Sequence, residues 1–145
     1  MINLPKLILA SSSPRRAQIL RTIGWPFEAC PVDIDEARQP HEEAASYVER
    51  LAQEKARAAA GLLGAGSPIV GADTVVVIEA EILGKPRDED DARRMLRQLS
   101  GQWHQVLTGV ALINGTPSEM RVAHETTEVK FAAMSEDEID WYVAS

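Results

Sequence analysis

Apolar and polar positions along the chain divide it into short, alternating elements. Leu7-Ile8-Leu9 is a compact apolar run, consistent with a buried strand. It leads into Ala10-Ser11-Ser12-Ser13-Pro14-Arg15-Arg16. There Ser13 is a good N-cap, and Pro14 takes the first helical position, where its missing N–H costs nothing. The helix that follows is expected to use Ala17, Ile19, Leu20 and Ile23 as apolar contacts and to end at Gly24. Trp25 to Cys30 reads as a short extended segment. Pro40 is expected to open a second helix, with Glu42 and Glu43 in its first turn. Its apolar stripe is Ala44, Val48, Leu51, Ala52 and Ala59, which leaves Glu49, Arg50, Glu54 and Arg57 to face water.

Ile69 to Ile78 is the most apolar run, and its Val and Ile content predicts a strand. Glu79 to Glu81 make a turn, and Ile82-Leu83 start a return strand. Asp88 caps a third helix, with Glu89, Asp90 and Asp91 in its first turn and Arg93, Arg94 and Arg97 later. Ser100-Gly101 ends it. Val106 to Ile113 reads as a strand, Asn114-Gly115 as a hairpin-type turn, and Glu119 to Ala133 as a long return strand. Ser135 and Glu138 form a capping box for a last helix containing Ile139, Tyr142 and Val143.

Composition narrows the classes. At 145 residues and 45% hydrophobic content the chain reads as one domain, residues 1–145, with a proper core. A net charge of -7 argues against general nucleic-acid binding, yet leaves room for a local basic pocket for a single nucleotide. The lone cysteine, Cys30, excludes an internal disulfide and reads as a small buried hydrophobe in a reducing compartment. No apolar stretch has the length of a signal peptide or a membrane span, so a cytoplasmic protein without membrane contact is expected.

Candidate chemistry falls on a few positions. Arg15 and Arg16 sit at the positive end of a helix dipole, where Asp or Glu is normally favoured. With the free N–H groups and three serine hydroxyls they describe a phosphate site, or else an ordinary strand-to-helix turn with two solvated arginines. Asp33, Asp35 and Glu36 are either a solvated acidic loop or oxygen ligands for Mg²⁺. Lys55 lies on the apolar stripe of the second helix, so it snorkels at the edge or meets a buried anion. Asp73 interrupts the most apolar strand, where an unpaired carboxylate is costly. By alternation it shares a face with Gly71, expected to leave open space beside it, while Thr74 points to the other face. His41, His104 and His124 have no ligand spacing.

Taken in order, Ala10-Ser11-Ser12-Ser13-Pro14-Arg15-Arg16, Gln53-Glu54-Lys55-Ala56, Gly71-Ala72-Asp73-Thr74 and Leu83-Gly84-Lys85-Pro86 resemble the Maf family of nucleotide pyrophosphatases. Leu99-Ser100-Gly101 and Ser135 to Ile139 are similar to further segments of that family. The resemblance implies an α/β fold: an elongated mixed sheet flanked by helices, Maf/ITPase-like, with a nucleotide cleft between two lobes. It implies hydrolysis of a nucleoside triphosphate to the monophosphate and pyrophosphate with a divalent cation, Mg²⁺ or Mn²⁺. Asp73 would be the general base or share the metal. Arg16, Lys55 and Lys85 would neutralise phosphate charge, and Ser11 would hold phosphate oxygens. Asp35 and Glu36 would help hold the metal.

Ser-Pro-Arg-Arg and Gly-Ala-Asp-Thr resemble the pyrimidine type of the family, so Arg15 and Thr74 are expected to meet the base of dTTP, UTP or a modified pyrimidine nucleotide. Maf-like chains usually continue beyond the point where this sequence stops, with a Tyr and a Gln near the base. The competing expectation is a non-catalytic nucleotide-binding regulator, in line with the link between Maf-like proteins and septum formation or cell-division arrest. A homodimer is compatible with either.

Overall fold

The computed structural model describes residues 2–64 and 66–145. The chain is α/β, with strands β1 (Leu7–Ala10), β2 (Phe27–Ala29), β3 (Ile69–Ile78), β4 (Glu81–Leu83), β5 (Trp103–Ile113) and β6 (Met120–Lys130). Its helices are α1 (Pro14–Thr22), α2 (Ala44–Leu63), α3 (Glu89–Leu99) and α4 (Glu136–Ala144), and a 3-10 turn at Pro117–Glu119 precedes β6. The strands form one six-stranded sheet in the order β2-β1-β3-β5-β6, with β4 also on β3. It is mixed: β1 runs parallel to β2 and β3, whereas β4 is antiparallel to β3. The chain gathers into two compact units, residues 1–74 with 108–125 and residues 75–107 with 126–145.

The first unit is built on close contact between α2 and the sheet. Its core joins Ile8, Ala10, Ile69, Ala111 and Ile113 to Ala52, Ala56 and Ala59 of α2. The alanines matter because they bring backbone to backbone. A Cβ added at Gly71 would run into the Ala52 carbonyl oxygen and lie 2.8 Å from the Ala56 nitrogen. One added at Gly109 would meet the Val48 carbonyl in the same way. The space expected beside Asp73 at Gly71 is therefore filled by helix backbone.

Other expectations shift for local reasons. His41 adopts a left-handed φ of 60°, which no helix starting at Pro40 could contain, so α2 begins at Ala44 behind Glu43. Glu49, Arg50 and Glu54 do not simply face water; each is partly buried. In α1 only Ala17 is buried, while Ile19 and Ile23 are 58% and 62% exposed. Ser13 caps α1 by backbone position alone; the side chain that turns the chain is Ser11, whose Oγ accepts the Ser13 N–H at 3.1 Å.

In the second unit β3 and β4 form a hairpin pairing Ile78 with Glu81. Its two turn residues, Glu79 and Ala80, both have positive φ (48° and 65°), as the favoured two-residue turn requires, but neither is Asn or Gly. Asp88 caps α3, accepting the Asp91 N–H at 2.8 Å, and Ser135 with Glu138 closes a full capping box on α4. Arg97 to Glu136 (3.0 Å) and Arg93 to Asp140 (2.9 Å) tie the two helices together. Ile78, Leu83 and Leu99 form the core here, with Met95 and Phe131 against it. Strand β5 starts earlier than expected, at Trp103, and β6 is shorter at both ends. The Asn114-Gly115 turn extends into the 3-10 turn rather than closing a tight hairpin. Among the described residues no helix is long and apolar enough to cross a membrane.

Candidate active site

The site assembles within the first unit where β1 meets α1. Ser11, buried at the end of β1, holds its Oγ 3.0 Å from Arg16 Nη1 while also accepting the Ser13 N–H. Both bonds use Ser11 as acceptor, so its own O–H stays available to donate. Arg16 Nη2 donates to Thr74 Oγ1 at 3.2 Å, and Thr74 lies 3.0 Å from the hydroxyl of Thr108 on β5. The Ser11 and Thr74 hydroxyls thus hold the guanidinium of Arg16, itself a first-turn residue of α1, where a bound anion would satisfy both the free N–H groups and the charge. Burial lowers the Arg16 pKa, and the negative charges of Asp73 and Glu36 oppose that fall.

The alternation of β3 places Asp73 on the face opposite Thr74, toward α2. There Lys55 Nζ donates to Asp73 Oδ1 at 3.0 Å, with the two side chains only 11% and 13% exposed. Of the two readings of Lys55, the buried anion is the one found. A second carboxylate, Glu36 from the segment after β2, reaches the same ammonium at 3.3 Å. Burial first, then the Asp73 and Glu36 charges, raise the Tyr47 pKa nearby.

Ser11, Arg16, Lys55, Asp73, Thr74 and Glu36 are thus brought together. Arg15 is exposed on α1. Asp35 turns Oδ1 to the Ala37 N–H at 3.0 Å, which shapes its own loop. Lys85 belongs to the second unit, exposed in the bend after β4. No group of three or more His, Cys, Asp or Glu gathers among the described residues as a metal cluster would. His104 is buried edge-on to Phe131, and His124 pairs with Glu49 at 2.7 Å rather than with Glu36 or Asp73.

Sequence reasoning missed Thr108, Tyr47 and Arg50. Thr108 carries no signal of its own, because only the pairing of β3 with β5 brings it to Thr74. Tyr47, Arg50 and Glu54 fall at i, i+3 and i+7 on α2, a polar stripe that could have been read beside the apolar one.

Residues 6–145 match the family model described as Maf-like protein. A relative from Symbiobacterium thermophilum named dTTP/UTP pyrophosphatase is 51% identical over 95% of this chain and 70% of its own length. One of the same name from Escherichia coli K12 is 46% identical over 96% of this chain and 70% of its own. Among solved structures, the Staphylococcus aureus Ham1 protein aligns with a TM-score of 0.60 at 16% identity, covering 88% of this chain and 72% of its own. A HAM1 protein from Coxiella burnetii aligns with a TM-score of 0.60 at 20% identity, covering 88% and 73%. These last two share the fold. With its ordered motifs, its α/β sheet and a match running through 140 of its positions (6 to 145), the chain belongs to the Maf-like protein family.

Proposed function

We propose that this chain is a nucleoside triphosphate pyrophosphatase that hydrolyses dTTP and UTP, and modified pyrimidine nucleotides of the same shape, to the monophosphate and pyrophosphate. The observation that carries the reading is the buried Lys55–Asp73 pair, beside the Arg16 guanidinium that Ser11 and Thr74 hold at the start of α1. Relatives named for that activity, at about half identity, support it.

The residues divide the work as follows. Arg16 and the Ser11 hydroxyl bind phosphate oxygens at the α1 N-terminus. Lys55 offsets charge that grows as the bond between the α- and β-phosphates breaks. Asp73 accepts the proton of the water whose oxygen attacks the α-phosphorus, and pyrophosphate leaves with the bonding electrons. The donor set fits a divalent cation, Mg²⁺ or Mn²⁺, which commonly uses one or two carboxylates plus substrate phosphates. Glu36 would hold it together with substrate phosphates, while Asp35 serves its own loop. When bound, it would acidify water and neutralise phosphate charge. Thr74, with Thr108 behind it, and the exposed Arg15 offer hydrogen bonds to a base edge, a form of selection that can be steep. A cytoplasmic location goes with such a substrate.

A pure nucleotide binder is the weaker reading. Relatives named for pyrophosphatase activity, and a carboxylate placed to take a proton, favour the enzyme. The test is pyrophosphate release from dTTP, UTP and 7-methyl-GTP with Mg²⁺ or Mn²⁺. A higher kcat/KM for dTTP and UTP is expected. No release from any of them overturns the enzyme reading, and a preference for 7-methyl-GTP overturns the pyrimidine assignment.

A further inference from the structure

Residues 30–43, between β2 and α2, contain neither helix nor strand. Yet Glu36, in the middle of that segment and 49% exposed at its side chain, stands 3.3 Å from Lys55 Nζ. So exposed a side chain is poorly confined by its own packing; its position must come from its backbone. Two α2 residues grip that backbone. The Tyr47 hydroxyl donates to the Glu36 carbonyl oxygen. Arg50 Nη2 donates to the Ala37 carbonyl at 3.0 Å.

Arg50 is itself fixed from three sides. Its Nε and Nη2 fork onto Glu42 at 2.7 and 2.9 Å, and its Nη1 reaches Glu54 at 3.1 Å. Its guanidinium also lies over the Tyr47 ring, 5.6 Å from the centroid. Glu42 in turn accepts the Gln39 N–H at 3.1 Å, so a third point of the segment is held. The Glu42 side chain is only 8% exposed and that of Arg50 20%. The helix does not need this cluster to stay on the sheet, because Val48, Leu51, Ala52, Ala56 and Ala59 already anchor it there. What the cluster holds is the segment carrying Glu36.

We propose that Tyr47 and Arg50 are positioning residues: they pin the backbone at Glu36 and Ala37 to α2, so that the Glu36 carboxylate stands at the Lys55–Asp73 pair. The proposal rests on that pair being the reacting centre. Neither residue touches substrate in this role; each acts through Glu36.

The experiment compares the chain with Tyr47→Phe, Arg50→Lys, Glu36→Gln and the two double variants that include Glu36→Gln. Readouts are kcat and KM for dTTP with Mg²⁺, thermal unfolding, and hydrogen exchange of the Ala37 and Gln39 amides. Arg50→Lys keeps a cation for Glu42 and Glu54 but cannot fork onto Glu42 and reach Ala37 together. Each single variant at 47 or 50 should lower kcat about 10- to 100-fold, as loss of an orienting partner does, with KM little changed. In the Glu36→Gln background the same substitutions should cost nothing more. Exchange at Ala37 and Gln39 should rise while α2 amides stay protected. Losses that simply add to that of Glu36→Gln, or kcat unchanged despite faster exchange, overturn the proposal. If the parent chain releases no pyrophosphate, the hydrolytic reading falls by itself, and exchange decides the latch: no increase at Ala37 and Gln39 in either variant overturns it.

Discussion

Lys55 answers to two carboxylates at once, and its position on the apolar stripe of α2 leaves it little water to share them with. Replacing it by Met keeps the stem but strands Asp73, 13% exposed, without its cation. Removing one partner of a buried pair leaves an uncompensated charge, so Lys55→Met should lose turnover and up to about 3 kcal/mol of stability. Urea unfolding at neutral pH checks the second part; parental stability there would mean that water already screens the pair. Asp73→Asn is the opposite case. The amide keeps an oxygen for Lys55 Nζ and nearly the same volume but cannot take a proton. Pyrophosphate release should vanish while nucleotide binding by calorimetry stays near parental; Lys55 keeps Glu36 as its remaining carboxylate, so the loss of stability should be smaller than in Lys55→Met. Turnover at the parental rate would make Asp73 a structural strand residue.

Helix α2 meets β3 and β5 at two glycines, and this sets how deep Lys55 and the alanine stripe sit. Gly71→Ala would push a methyl into the Ala52 carbonyl and the Ala56 amide nitrogen, which are backbone and cannot swing aside. Overpacking of this kind costs about 1–3 kcal/mol or more. The helix would have to lift, so Lys55 and Asp73 should separate and kcat should fall with stability. A Gly71→Ala chain with parental melting and turnover would refute that packing argument. The same contact explains what was legible beforehand. The alternation of β3 and the stripe of α2 are local patterns, so Asp73, Thr74 and Lys55 could be placed on the right faces from sequence. That Gly71 is filled rather than open depends on which helix lands there, a tertiary fact no local pattern contains. Arg50 differs for a related reason: charged residues beside an apolar stripe are usually solvated, and only the path of residues 30–43 over α2 gives it Glu42 and the Ala37 carbonyl as partners. His41 carries no sign of its left-handed backbone, so the sequence pattern puts the start of α2 at Pro40, three residues before its cap at Glu43.

At the scale of the whole molecule, part of the response to acid comes from carboxylates whose proton affinity changes on folding. A carboxylate that binds protons equally in the folded and unfolded chain contributes nothing to the pH dependence of stability. Glu42 in the first unit and Asp91 in the second do contribute. Glu42 is held below the usual carboxylate range by its bond to Arg50 and by the Gln39 N–H. Asp91 is held below it by the Arg87 N–H and then by Arg94. Each lowered value means that the unfolded chain takes up the proton first as pH falls. The stability these groups supply is therefore complete above their ordinary range, about pH 4, and is lost as pH drops through the lower folded value. Glu42→Gln should weaken the first unit at pH 7 and flatten its decline below about pH 4, because no proton is left to take up there. Asp91→Asn should do the same for the second unit. Hydrogen exchange between pH 7 and pH 3, followed at α2 amides for one unit and α3 amides for the other, reads each effect where it arises. Acid slopes that stay parallel to the parent in both variants would show that other carboxylates carry the transition.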